Sequence, residues 1–86
     1  MEKNYIKEIK DIFRNHDPVD LIRTGAPNDE YDPLVEKFII PLLNKEDDKY
    51  ELGEKLYTVF VDQFDENIAG DSKKYYKIAE SILKLS

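Results

Sequence analysis

Residues 32–43 have the sequence Asp-Pro-Leu-Val-Glu-Lys-Phe-Ile-Ile-Pro-Leu-Leu. The Asp-Pro pair is a helix start signal, because the residue before proline favours the extended backbone of an N-cap and proline at the first helical position gives up only an unpaired N–H. The apolar residues that follow recur at helical spacing and form a wide stripe. Pro41 lies inside this stripe, so we expect a kink or an early helix end near Ile40.

The rest of the chain has the same helical periodicity, and no alternating strand pattern of useful length occurs. The first predicted helix covers Lys3–Asn15, and a short helix over Pro18–Arg23 follows and is closed by Gly25. The third helix begins at Asp32-Pro33. The fourth helix starts with the Asp48/Glu51 capping box and ends over Asn67–Gly70, and the last helix is capped by Asp71 or Ser72. We therefore predict an all-α fold: a small antiparallel bundle of four main helices and one short helix, in a single domain covering residues 1–86.

Composition excludes many kinds of catalytic site. The 86 residues include no cysteine and one histidine, so disulfides, zinc–thiolate sites and thiol nucleophiles are impossible. The three glycines are isolated and form no phosphate-binding loop. The sequence predicts a non-enzymatic protein with no catalytic residue, cofactor or metal site. It also predicts no membrane span, because the longest apolar stretch is short and contains Pro41, and the charged N-terminus favours a cytoplasmic protein.

The negative charge is concentrated in the middle of the chain. The net charge is −6, but residues 1–16 sum to +1, residues 17–54 to −7 and residues 55–86 to zero. Some of these acids are explained as helix caps. The excess either serves solubility alone or forms an acidic face that steers a basic protein partner. A net negative charge counts against nucleic-acid binding, and Lys73, Lys74 and Lys77 are interpreted as a solvated face.

The candidate partner-binding face is built by Asp17–Arg23 and Asn28–Glu36. Its members are charged residues and one aromatic: Asp17, Asp20, Arg23, Asp29, Glu30, Tyr31, Asp32 and Glu36. For Tyr31 two roles are open. The favoured one is a plug that folds onto the neighbouring helices and holds the loop; the other is a rigid aromatic anchor for a partner.

A cation site is the alternative interpretation of the acids at positions 29–32. A calcium loop requires glycine at its sixth position, and the sixth residue counted from Asp29 is Leu34. Asp32 is instead expected to be the N-cap of the following helix, with Asp29 and Glu30 near its positive end.

Part of the sequence is similar to a known family. His16-Asp17-Pro18-Val19-Asp20-Leu21-Ile22, the stretch Gly25-Ala26-Pro27-Asn28-Asp29-Glu30-Tyr31-Asp32-Pro33, and Ile40-Pro41-Leu42-Leu43 resemble the YugE-like domain of unknown function of Bacillus-type bacteria. In related small proteins a glycine stands where this chain has Asp20. The resemblance implies an all-helical fold and brings no catalytic residues.

These observations favour a small acidic helical module that binds another protein. One concrete version is an immunity- or antitoxin-like protein that neutralises a basic toxin. The alternative is a divalent-cation-dependent enzyme or small-molecule binder that uses the acidic residues at positions 29–32. The chain is expected to be a monomer or, because it has six tyrosines and four phenylalanines, a homodimer through surplus aromatic surface.

Overall fold

Five helical segments, and no strand, occur in residues 3–27 and 29–85, the part of the chain that a computed structural model describes. They are α1 (Lys3–His16), α2 (Asp32–Leu34, continued by a π-helical turn over Val35–Ile39 and a 3-10 turn over Ile40–Leu42), α3 (Lys49–Gln63), α4 (Glu66–Ala69) and α5 (Lys73–Leu83). The all-α prediction is confirmed. Asn28, a member of the expected face, lies outside the described residues.

Contacts between helices show that neighbours run antiparallel. Along α1 and α2, Arg14 pairs with Asp32 at 2.7 Å and Lys10 pairs with Glu36, so the end of one helix meets the start of the other. Along α3 and α5, Lys49 Nζ lies 3.2 Å from Glu80 Oε2, at the start of α3 and near the end of α5. A side chain at Gly53 would clash with the Tyr76 ring, so this glycine permits the close approach of α3 and α5.

The core contains aliphatic and aromatic side chains from every helix: Ile9, Phe13, Tyr31, Val35, Ile39, Leu52, Leu56, Phe60, Ala69, Tyr75, Ile78, Ala79 and Ile82. No polar or charged residue is buried in the described part of the chain, tyrosines aside. Phe60 lies at its centre, with the rings of Phe13 and Tyr75 at centroid distances of 5.8 and 5.2 Å. Hydrophobic burial of this kind is the main stabilising contribution in so small a domain.

Pro41 changes the hydrogen-bond pattern of its helix. The proline has no N–H to donate to the Lys37 carbonyl, and the chain responds with a wide turn in which Ile40 N–H donates to the Val35 carbonyl, five residues back. A tight turn then follows, with Leu43 N–H bonded to the Ile40 carbonyl at 3.3 Å, before Leu43 becomes extended. The sequence predicts either a kink or an early helix end near Ile40, and the structure shows an early end, at Leu42.

One predicted boundary is wrong, and one open alternative is decided. The fourth predicted helix does not continue to Gly70; α3 ends at Gln63, and Asp65 reverses the backbone with φ 121° before the separate short helix α4. The Asp65 carboxylate caps α4 by accepting from Ile68 N–H at 3.0 Å, which explains why an acid stands at this turn. At the start of α5, Asp71 rather than Ser72 supplies the capping oxygen, to Lys73 N–H at 2.9 Å.

The predicted capping box of α3 is confirmed. The Asp48 carboxylate accepts from Tyr50 and Glu51 N–H at 2.9 and 2.8 Å, and the Glu51 side chain accepts from Asp48 N–H. No helix in the described part of the chain is long and apolar enough to cross a membrane.

Replacing Asp48 with alanine is expected to lower the free energy of unfolding by about 1 kcal/mol, because two N–H groups at the start of α3 lose their acceptor. Asp62→Ala is the matched control: Asp62 is exposed in the last turn of the same helix, where a negative charge opposes the helix dipole, so its removal should be neutral or slightly stabilising. Urea denaturation followed by circular dichroism measures both. Equal losses in the two variants would contradict the role assigned to the cap.

Candidate protein-binding loop

Residues 17–31, here called the acidic loop, connect α1 to α2 without regular structure in their described part. The short helix predicted over Pro18–Arg23 does not form. Asp17 does not adopt the extended backbone of an N-cap but a left-handed one, with φ 46°, and Asp20 follows with φ 57°. Aspartate tolerates this region better than most residues, because its short carboxylate can bond to nearby backbone.

The hydrogen bonds of the acidic loop explain why the helix is absent. In a helix from Pro18, Ile22 N–H would donate to the Pro18 carbonyl. Instead Ile22 N–H donates to the Asp17 carboxylate at 3.1 Å, and Arg23 N–H donates to the same carboxylate at 2.8 Å. The Pro18 carbonyl accepts from Lys74 Nζ of α5 at 2.5 Å. These three backbone groups, which a helix would have paired with one another or with neighbouring backbone, are therefore bonded to side chains.

Tyr31 closes the acidic loop from its other end. Its hydroxyl donates to the Asp17 carboxylate at 2.5 Å and accepts from Val19 N–H at 3.3 Å. The side chain is 1% exposed, and its ring lies 6.4 Å from the Phe60 ring. Tyr31 is thus a plug that joins the loop to the core, the favoured one of its two predicted roles. With its side chain buried, it has no surface for a partner and is withdrawn from the candidate contact residues.

The protonation states of this pair suit the bond between them. Burial raises the pKa of Tyr31, and the neighbouring Asp17 carboxylate raises it further, so the phenol stays a neutral donor. Burial alone would raise the pKa of Asp17, but hydrogen bonds from Tyr31, Arg23 and Ile22 outweigh it and leave that pKa below its ordinary value. Asp17 therefore acts as a charged acceptor at neutral pH.

Lys74 is the residue of this arrangement that sequence reasoning did not find. The sequence predicts a solvated basic face for the group to which it belongs, Lys73, Lys74 and Lys77. Its ammonium group instead holds the Pro18 carbonyl, 56 residues away in the chain. No local pattern marks such a contact, because lysine is common on helix surfaces and the carbonyl it meets has no sequence signature.

Other predicted face residues are engaged by α1. Asp32 is not the N-cap of α2: Tyr31 occupies that position without a side-chain cap, and the Asp32 carboxylate pairs with Arg14. Glu36 is exposed and pairs with Lys10. These two acids therefore pair with cations on α1.

The remaining candidates are exposed on the acidic loop. Asp20 and Arg23 lie 3.9 Å apart, the long limit of an ion pair. Asp29 and Glu30 are exposed and form no ion pair with any residue in 3–27 or 29–85. The structure therefore keeps Asp20, Arg23, Asp29 and Glu30 at the surface and uses Asp17 and Tyr31 to hold the backbone beneath them.

Most of the acidic residues that follow the acidic loop in the chain form bonds to other residues of the domain. Asp47 pairs with Lys55 at 2.6 Å, Asp48 and Glu51 form the capping box, and Glu54 accepts a hydrogen bond from the Tyr76 hydroxyl at 2.9 Å. These bonds neutralise or engage part of the excess negative charge of residues 17–54. Most of the acidic side chains in this range that form no such bond lie on the acidic loop.

The described residues offer no ligand set for the alternative cation site. No group of three or more His, Asp or Glu side chains in that part of the chain is arranged to hold a metal ion, and Asp32 is committed to Arg14.

Comparison of the chain with protein-family models, with curated proteins and with solved structures finds no match in any of the three. The likeness of residues 16–43 to the YugE-like family stays a prediction.

Proposed function

We propose that the chain is a non-enzymatic protein-interaction module that binds a basic protein partner through the acidic loop. One observation carries this proposal: the irregular loop is fixed from inside by the bond between Asp17 and Tyr31, while Asp29 and Glu30 stay exposed without an ion-pair partner among the described residues. A negatively charged segment with a fixed backbone is suited to recognition of a positively charged surface.

The fixed backbone matters for affinity. A flexible loop loses conformational entropy when a partner orders it, and that loss subtracts from the binding free energy. Here Asp17, Tyr31 and Lys74 already hold both the beginning and the end of the loop, so binding would order little more than side chains. Short acidic side chains such as those of Asp20 and Asp29 have few rotatable bonds, which keeps that remaining cost low.

Backbone strain is consistent with the same role. Asp17 and Asp20 both have positive φ, which costs free energy in residues other than glycine. At Asp17 the three hydrogen bonds to the carboxylate offset the free-energy cost of the left-handed backbone. For Asp20 the side chain forms only the long contact to Arg23, so its carboxylate remains available to a partner.

A charge-reversal experiment tests the proposal. The Asp29→Lys/Glu30→Lys variant reverses the two unpaired charges of the acidic loop, and Glu8→Lys/Asp62→Lys makes the same change in net charge at exposed positions on α1 and α3. We expect the immobilised wild type to capture a protein with excess surface Lys and Arg at low salt and to release it at high salt. The association rate should fall by about tenfold or more in the loop variant, and much less in the control.

Capture of no basic protein at low salt would contradict the proposal. An equal loss of binding in the two charge-reversal variants would contradict it as well, because net charge rather than the acidic loop would then govern binding.

In its most specific form, the proposal is that this is a cytoplasmic, immunity- or antitoxin-like protein and that the partner is a basic toxin. This form is supported by the small size, the helical fold and the charge of the domain. Deletion of the gene, alone and together with its neighbours, should change the sensitivity of the cell to a toxin. Unchanged sensitivity in both strains would remove the toxin from the proposal and leave the basic partner to the binding experiment.

A further inference from the structure

An apolar cleft lies at the end of the bundle opposite to the acidic loop. The acidic loop follows the last residue of α1, whereas the cleft begins at Tyr5 in the first turn of that helix. The cleft has a volume of about 280 Å³. Its apolar walls come from α1, from the segment after Pro41, from α3 and from the end of α5: Tyr5, Leu43, Leu52, Ile82, Leu83 and Leu85.

Two polar residues complete the lining, and both can donate hydrogen bonds. The Lys45 side chain is exposed and forms no ion pair within residues 3–27 and 29–85. The Asn44 side-chain oxygen accepts from Glu46 N–H at 3.0 Å, so its amide nitrogen is the part of that side chain left to donate to a ligand. Among the residues that the structure describes, no carboxylate lines the cleft. The polar part of the site is therefore a donor pair with one positive charge.

We propose that this cleft binds a small amphiphilic anion, an aliphatic carboxylate whose chain lies against the apolar walls and whose carboxylate meets Lys45 and Asn44. The volume sets the size: a cavity of about 150 Å³ accepts benzene, so roughly twice that volume accommodates a chain of about six to eight carbons. Binding sites for small molecules have this composition, with mostly apolar walls and a few polar groups that orient the ligand.

The same lining disfavours other ligand classes. An alkylammonium ion of equal length would place its charge beside Lys45, and like charges repel. A sugar or another compound with many hydroxyl groups would lose its hydrogen bonds to water against six apolar side chains. An uncharged alcohol would gain the apolar contacts without the ion pair.

Titration of ¹⁵N-labelled protein with sodium octanoate, octylammonium and 1-octanol tests the assignment. Octanoate should produce saturable shifts of the amide signals of Leu43, Lys45, Leu83 and Leu85, and should bind several-fold more tightly than octylammonium or 1-octanol. Across hexanoate, heptanoate and octanoate the affinity should rise by about fourfold per methylene, the increment expected for a buried CH₂ group.

Lys45→Glu replaces the positive charge of the cleft with a negative one, and Lys73→Glu makes the same change at an exposed position at the start of α5. The first substitution should weaken octanoate binding by about fivefold or more and reverse the preference over octylammonium, whereas the second should leave both nearly unchanged. The proposal is overturned if octanoate causes no saturable shifts, if octylammonium binds as tightly to the wild type, or if the two variants bind octanoate equally.

Discussion

Replacing Phe60 with alanine is expected to lower the free energy of unfolding by about 3–5 kcal/mol, the usual cost of deleting a buried aromatic ring. Phe60 is fully buried, and its ring lies within 6.4 Å of four others, those of Phe13, Tyr31, Phe64 and Tyr75. A domain of this length has a total stability of roughly 4–13 kcal/mol. The loss is therefore a large fraction of the total.

Phe38→Ala is the matched control, because it deletes the same atoms at a site outside the core. Phe38 is partly exposed, and it is not among the partly buried side chains that pack against the core. We expect a loss of no more than about 1 kcal/mol there. Urea denaturation of both variants measures the difference. Similar losses at the two positions would show that Phe60 is not the centre of the core.

The second large effect is expected at Asp17. Asp17→Ala removes the acceptor of three hydrogen bonds, from Tyr31, Ile22 and Arg23, and places alanine at φ 46°. Unpaired donors and a left-handed backbone each cost about 1–2 kcal/mol, so we expect a total loss of about 3 kcal/mol. Asp17→Asn tolerates the backbone and keeps one acceptor oxygen, and a loss of about 1–2 kcal/mol should remain.

The pH dependence of this loss of stability distinguishes the contribution of the Asp17 charge from the contribution of the side-chain geometry. The pKa of Asp17 is lowered in the folded protein, so its carboxylate stabilises the fold above the unfolded pKa of about 3.9. That contribution disappears as the pH falls through the lower, folded pKa. The stability difference between wild type and Asp17→Asn should therefore be constant near pH 7 and shrink below about pH 4.

Asp20→Asn controls for the backbone, because Asp20 also has a left-handed conformation but its carboxylate forms only the 3.9 Å contact to Arg23. We expect a small effect of this substitution from neutral to acidic pH. Thermal unfolding of the three proteins between about pH 3 and pH 7 provides the measurement. A difference between wild type and Asp17→Asn that does not change with pH would contradict the proposed role of the charge.

Local sequence signals predicted the main helices well. The first helix was expected over Lys3–Asn15 and is observed one residue longer, and the Asp48/Glu51 capping box lies where its spacing predicted. These features depend on residues three or four positions apart, which the sequence displays directly. The response to Pro41 was predictable for the same reason, since the missing N–H acts on a carbonyl four residues away.

The acidic loop was predicted less well because distant contacts determine it. Asp17-Pro18 is a good local helix start, but Asp17 bonds to Tyr31, 14 residues later, and Pro18 bonds to Lys74, 56 residues later. The break at Asp65 shows a related difficulty. Its φ of 121° is rare for a residue other than glycine, so an aspartate at this position does not predict a chain reversal.

The positions that hold the acidic loop are different from those that face solvent. Asp17, Tyr31 and Lys74 fix its backbone, whereas the side chains of Asp29 and Glu30 take no part in that support. Substitutions at Asp29 and Glu30 can therefore accumulate at little cost to folding, as on other exposed surfaces. Under the proposed function, these positions could change to suit a different target while the same scaffold is inherited, and a new epitope could be grafted onto them.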